Sequence, residues 1–162
     1  MLSIVKLGDT LLKKHSSAVV DIDGTINSLV QEMFETMAQA KGVGLSAVQV
    51  GSLLRVFVVR VPNDQPRAFI NPAILETSIE QEPFEEGCLS IPGLYTDVVR
   101  PSSVRVQAWN AKGRPFTLSA EGYLARVIQH EFDHLEGILF IDRIDTKKRH
   151  RLLVEYSEKI GA

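Results

Sequence analysis

His130 and His134 stand four residues apart in the stretch "QHEFDHLEG" (129–137), with Glu131 beside the first. Residues i and i+4 of a helix share one face, so both imidazoles can meet a single cation. Glu131, one step round the helix, is turned away from that coordination but can reach a water held there. The chemistry these types and spacings suggest is hydrolysis, with a cation to activate water and a carboxylate to take its proton.

Two histidines leave a metal site unfinished, and the third ligand decides the class. A metzincin protease places a histidine three residues beyond the glycine, where this chain has Phe140. A gluzincin protease places a glutamate farther downstream. Glu155 in "VEYSEK" is at a suitable distance, although it also reads as a solvated helix charge. His15 in "KKHSS" and His150 in "KRHRL" read as surface residues. Cys88, the single cysteine, excludes a disulfide within the chain and offers a thiolate, a good ligand for a borderline metal. It equally fits a small core position. Spacing alone leaves these alternatives open.

The elements that must position these residues follow from periodicity and punctuation. The motif helix is expected over 120–136, with Ser119 as N-cap, Gly137 as its stop and Leu124, Val127, Ile128 and Leu135 as its apolar face. A first helix is expected over 24–41, started by Asp23 or Thr25 and ended by Gly42. Its apolar stripe runs through Ile26, Leu29, Val30, Met33, Phe34, Met37 and Ala38. A glycine-punctuated loop follows, and "LLRVFVVRV" (53–61) reads as a buried strand. Residues 68–81 read as two short strand pieces interrupted by Pro72. "SVRVQAW" and "RPFTL" read as a hairpin turning at Asn110–Gly113. Cys88 then lies between predicted strands, with Gly87 allowing a close backbone approach and Pro92-Gly93 making a turn. A third helix is expected over about 146–160, with Leu152, Leu153, Tyr156 and Ile160 inward. A helix, several strands and then helices, without β-α alternation, make the fold class α+β. The expectation is mainly antiparallel sheets packed around a central HExxH metal-binding helix, with an N-terminal and a C-terminal helix.

The chain has 162 residues, which predicts a single catalytic domain over 1–162 with a real core. Its hydrophobic fraction of 44% and charged fraction of 23% are those of a soluble globular protein. A net charge of -2 gives no bulk attraction to nucleic acid or membrane. Lys6 and Asp9 interrupt the start too early for a signal-peptide core, so a cytoplasmic location is expected. Glu86 and Arg100 are expected to pair and brace the strand carrying Cys88. In "KKRHR" (147–151) the cations lie at the start of a helix, where the dipole disfavours them, and Asp142 and Asp145 are expected to compensate.

Three blocks then combine. "GVGLSAVQVG" (42–51), "EGCLSIPG" (86–93) and "QHEFDHLEG" (129–137) resemble the three signature motifs of the peptide deformylase family, in order and spacing. "GDTLLKKHSSAV" resembles its N-terminal pattern, so the resemblance covers essentially the whole chain. It implies an α+β fold around the motif helix. The implied activity is removal of the formyl group from the formylmethionine of newly made bacterial proteins. It implies that Cys88, His130 and His134 are the metal ligands and Glu131 the catalytic glutamate. Gln49 and the backbone N–H of Leu89 would then stabilise the formyl oxygen, and Val43 and Gly44 would line the substrate cleft. The implied cofactor is one divalent ion per chain, iron(II) by expectation, with zinc, nickel or cobalt able to occupy the site. The implied partners are N-formylmethionyl nascent peptides, and no membrane is expected; the basic stretch Lys147 to Arg151 reads first as a solvated basic face, with contact to the ribosome from which the substrate emerges as the alternative. The family loop usually reads Gly-Leu-Ala-Ala; here Ser46 stands at the first alanine, an added hydroxyl expected to leave activity intact. The rival function is an HExxH metalloprotease cleaving internal peptide bonds, which would need Glu155 or another carboxylate in place of Cys88.

Overall fold

The computed structural model describes residues 2–160. Helix α1 (Gly24–Gln39) begins where the Asp23 carboxylate accepts the backbone N–H groups of Thr25 and Ile26. Strands β1 (Gly44–Ser46), β2 (Val56–Val59) and β3 (Arg67–Thr77) follow. Then come β4 (Gln81–Cys88), β5 (Ile91–Pro101), β6 (Ser103–Trp109) and β7 (Pro115–Glu121). Helices α2 (Gly122–Leu135) and α3 (Thr146–Ile160) close the order. Five strands form one antiparallel sheet in the order β1-β2-β3-β6-β7, while β4 and β5 pair with each other in a second, also antiparallel. The architecture is α+β, as expected.

The unbroken apolar run of β2 has a direct cause. Val56 and Val58 face α1 and pack with Ile26, Val30, Met33 and Met37. Phe57 and Val59 face the opposite side and pack with Val127, Ile128 and Leu135 of α2. The two helices thus cover opposite faces of the large sheet. Helix α2 is covered a second time by the β4–β5 hairpin, so Ala125 through Glu131 and Asp133 through Leu135 are all buried. A helix enclosed this way must satisfy its polar side chains within the protein. Arg126 donates to the carbonyls of Val98 (2.6 Å) and Glu82 (2.8 Å), and Gln129 to that of Pro101 (3.0 Å). A third cluster, including Leu12, Ile91, Val98, Phe140, Ile141 and Tyr156, ties β5 to the C-terminal segment.

Several boundaries differ from the sequence expectation. Strand β3 runs through Pro72, because a register shift between Ile70 and Ala73 absorbs the missing donor and Asn71 takes a φ of 50° there. Ser119 sits in the β7 ladder opposite Arg105, so α2 starts at Gly122, whose φ of 63° turns strand into helix. Gly137 ends α2 at a φ of 74°, and a side chain there would run into the backbone of Lys13. Residues 81–101 are one long hairpin. Cys88 closes β4, the chain reverses at Leu89 and Ser90, and Pro92 and Gly93 lie within β5 rather than in a turn. Helix α1 stops at Gln39 and leaves Ala38 exposed. In α3 Tyr156 is buried and Leu152 and Leu153 partly so, but Ile160 is 65% exposed. The 110–113 turn is as expected, with the Asn110 side chain accepting from Lys112 and Arg114. Asp145 accepts the N–H groups of Lys147 and Lys148, and Asp142 pairs with Arg149, which offsets the unfavourable charge at the start of α3.

Candidate active site

Three residues from two elements converge on one point. Helix α2 presents His130 and His134 from successive turns, and the end of β4 brings Cys88 to them. The candidate ligand atoms of these three residues lie within 4.8 Å of one another. Cys88 Sγ is 3.4 Å from His134 Nε2. Glu155 is exposed on α3 and outside this group, and His15 and His150 lie exposed on the surface.

The residues fit a divalent cation. His130 Nδ1 is 2.9 Å from Glu86 Oε1, which directs the ring's other nitrogen, Nε2, towards the group. His134 is held neutral, well below the usual histidine range, by burial and then by the charges of His130 and Arg100. A neutral imidazole is the ligating form. His134 Nε2 faces Cys88, while its Nδ1 is buried and finds no protein partner among the described residues. Burial would lower His130, but its hydrogen bonds to Cys88 and Glu86 and the Glu131 charge outweigh burial and raise it well above the usual range. A thiol and two imidazoles suit zinc, iron, nickel or cobalt.

Glu86 organises the support. It accepts Arg100 at 2.7 and 3.1 Å and Arg126 at 2.8 Å besides its contact with His130. The expected Glu86–Arg100 pair therefore exists, is buried, and has two further partners. Burial would raise the Glu86 carboxyl; the hydrogen bonds from His130 and Arg100 reverse this and hold its pKa at about 2. Arg100 continues to Asp133 (2.8 Å), which Arg143 grips with two bonds. Sequence reasoning missed Arg126 and Asp133. A signal for them exists: with His130 they lie at i, i+4 and i+7 on α2, a polar stripe that a search for the apolar face passes over.

Glu131 is buried beside the group, with Oε2 3.9 Å from His130 Nε2. Burial raises its pKa, against the lowering influence of His130 and of a hydrogen bond from Ser46. Gln49 is oriented by its neighbours: Oε1 accepts the Ser46 N–H (2.9 Å), so Nε2 points to Ser90 Oγ (3.1 Å) and Cys88 Sγ (3.5 Å). A cleft of about 400 Å³ opens over these groups, walled by Gly42, Val43 and Gly44 on one side and Glu86, Cys88 and Leu89 on the other. The glycines are there for space. A Cβ on Gly42 would stand 2.7 Å from the Leu89 side chain, and one on Gly44 2.6 Å from Glu131 Oε2. Gly87 likewise leaves room for the ring of Tyr95 at the cleft wall. The structure thus brings together Val43, Gly44, Gln49, Cys88, Leu89, His130 and Glu131 around one cleft, with His134 buried against Cys88.

Comparison with known proteins identifies the family. The family model described as "Polypeptide deformylase" matches residues 1–150. A peptide deformylase of Treponema pallidum is 50% identical over 155 residues, covering 96% of this chain and 95% of its own. One of Azotobacter vinelandii is 45% identical over 154 residues, covering 94% and 92%. The crystal structure of peptide deformylase from Ehrlichia chaffeensis in complex with actinonin superposes with a TM-score of 0.94 at 39% identity, over 98% of this chain and 97% of that one. The chain belongs to the peptide deformylase family, metal-dependent hydrolases that remove the N-terminal formyl group.

Proposed function

We propose that deformylation in this protein is carried out by Cys88, His130 and His134 as metal ligands, Glu131 as proton carrier, and Gln49 with the Leu89 backbone N–H as donors to the formyl oxygen. The observation that carries this reading is the convergence of one thiol and two imidazoles within 4.8 Å, with a buried carboxylate beside them. When bound, the ion supplies Lewis acidity, acidifying water and polarising a carbonyl. Glu131 Oε2 takes the proton of the attacking water and then delivers it to the leaving amine. Gln49, held with its NH2 inward, donates to the oxygen on which charge develops, and the Leu89 N–H does the same from the other wall. Val43 and Gly44 line the cleft where the formylmethionyl peptide lies. The products are formate and a free methionine amine.

The same proposal takes 1–162 as one catalytic domain acting in the cytoplasm, with iron(II) as the working ion and zinc, nickel or cobalt as substitutes. Among the described residues no helix is long and apolar enough to cross a membrane. The basic stretch Lys147 to Arg151 is proposed to contact the ribosome from which the substrate emerges. Neutralising it should abolish co-sedimentation with ribosomes, and unchanged co-sedimentation would reject the contact.

The roles separate by mutation. Cys88→Ala should leave metal well below one ion per chain, since two imidazoles remain. Glu131→Gln should keep metal near the wild-type level while turnover falls at least ~10²-fold, the scale of a lost general base. Full metal in the first variant, or retained turnover in the second, would remove that residue from its role.

A further inference from the structure

Position 46 touches both polar side chains that flank the ligand group. Its backbone N–H donates to Gln49 Oε1, a bond any residue other than proline supplies. Its hydroxyl lies 2.9 Å from Glu131 Oε1 and 2.9 Å from the Glu131 backbone carbonyl, and only a hydroxyl residue supplies these. Ser46 is 0% exposed, so water does not replace the bond. A serine hydroxyl carries one proton. The carboxylate is the stronger of its two acceptors whenever Glu131 is ionised, because charge-assisted bonds are shorter and stronger.

The two oxygens of Glu131 are thereby made unequal. Oε1 is tethered to the end of β1. Oε2 is the one 3.9 Å from His130 Nε2 and the one facing Gly44 at the cleft wall. We propose that Ser46 is a positioning residue that anchors Oε1 of Glu131 and so dedicates Oε2 to proton transfer. The proposal rests on Glu131 as the proton carrier. The anchor acts on orientation alone: removing it leaves the ligand group and the cleft walls in place. Oε1 would then be buried without its partner, and the carboxylate would be free to turn. Small misplacements of a reacting group reduce rate steeply.

The test is a double-mutant cycle on the metal-loaded enzyme, with Ser46→Ala, Glu131→Gln and the pair. Ser46→Ala should lower kcat on a formyl-Met peptide about ten-fold, the scale of one hydrogen bond to a charged group. KM and metal content should stay unchanged. In the Glu131→Gln background the same change should cause no further loss. In metal-free protein, Ser46→Ala should shift the carboxyl carbon resonance of Glu131, a readout independent of turnover. An unchanged kcat, a rise in KM instead, or an equal loss in both backgrounds would overturn the anchor. Retained turnover in Glu131→Gln alone would instead overturn Glu131 as proton carrier, and the anchor with it.

Discussion

Gly44 and Glu131 share a boundary with no slack. A Cβ at position 44 would lie 2.6 Å from Glu131 Oε2 and 2.8 Å from a Val127 methyl. Backbone conformation does not demand glycine here; the carboxylate does. Gly44→Ala should therefore leave the fold and the bound metal intact while displacing Oε2, and turnover should fall at least ~10-fold. Circular dichroism and metal analysis alongside the rate check this, and a full rate with an intact fold would contradict it. The sequence points to Gly44 as a cleft residue but not to this reason. The contact joins residues far apart in the chain, and periodicity carries no such information. The same holds for Ser46. In the sequence it is a bare hydroxyl, and only the fold shows that it meets Glu131.

Helix α2 and the β4–β5 hairpin are joined by buried charge as much as by apolar contact. Glu86 receives two guanidinium groups and His130, and its pKa falls from an ordinary 4.5 to about 2. A carboxyl depressed on folding contributes stability that is complete above its unfolded pKa. That contribution is lost as pH falls through the folded value. Metal-free protein should thus lose roughly 3 kcal/mol from this group between about pH 5 and pH 2, at ~1.4 kcal/mol per pKa unit. Glu86→Gln should be destabilised by about 3 kcal/mol at pH 7, because buried cations lose their counter-charge. It should also show a flatter acid profile in urea unfolding. Equal acid sensitivity in both proteins would refute the assignment. The β4–β5 hairpin was the least legible element in the sequence. Most of β4 is exposed and "QEPFEEGC" has no apolar alternation, so strand periodicity is silent there. By contrast α1, β2 and the 110–113 turn were legible, because apolar spacing and turn residues encode them locally. The boundaries that slipped, at Ser119 and Pro72, depend on a ladder register and a bulge that neighbouring strands impose.

At the scale of the molecule, two helices on opposite faces of a sheet, and a hairpin closing over one of them, hold three distant motifs at one cleft. The motifs themselves were legible, because residue types at fixed spacing carry their chemistry. Their meeting point needed the fold. The proposed placement of the formyl carbon beside the ligand group predicts that the cleft is selective at that carbon. The site walls are Gly44, backed by Glu131, and the Gln49–Cys88 side, so a methyl in place of the formyl hydrogen would press on packed atoms. A tolerant pocket would discriminate by only ~10–200-fold for such a change, and this one should exceed that range. The methionine preference should be softer, since an apolar pocket separates similar linear side chains poorly. The decisive measurement is kcat/KM of anaerobically purified protein on formyl-Met and acetyl-Met peptides of the same sequence. Formate release with discrimination beyond ~200-fold is the predicted result. Comparable rates on the two substrates, or cleavage of an internal peptide bond in either, would contradict the account.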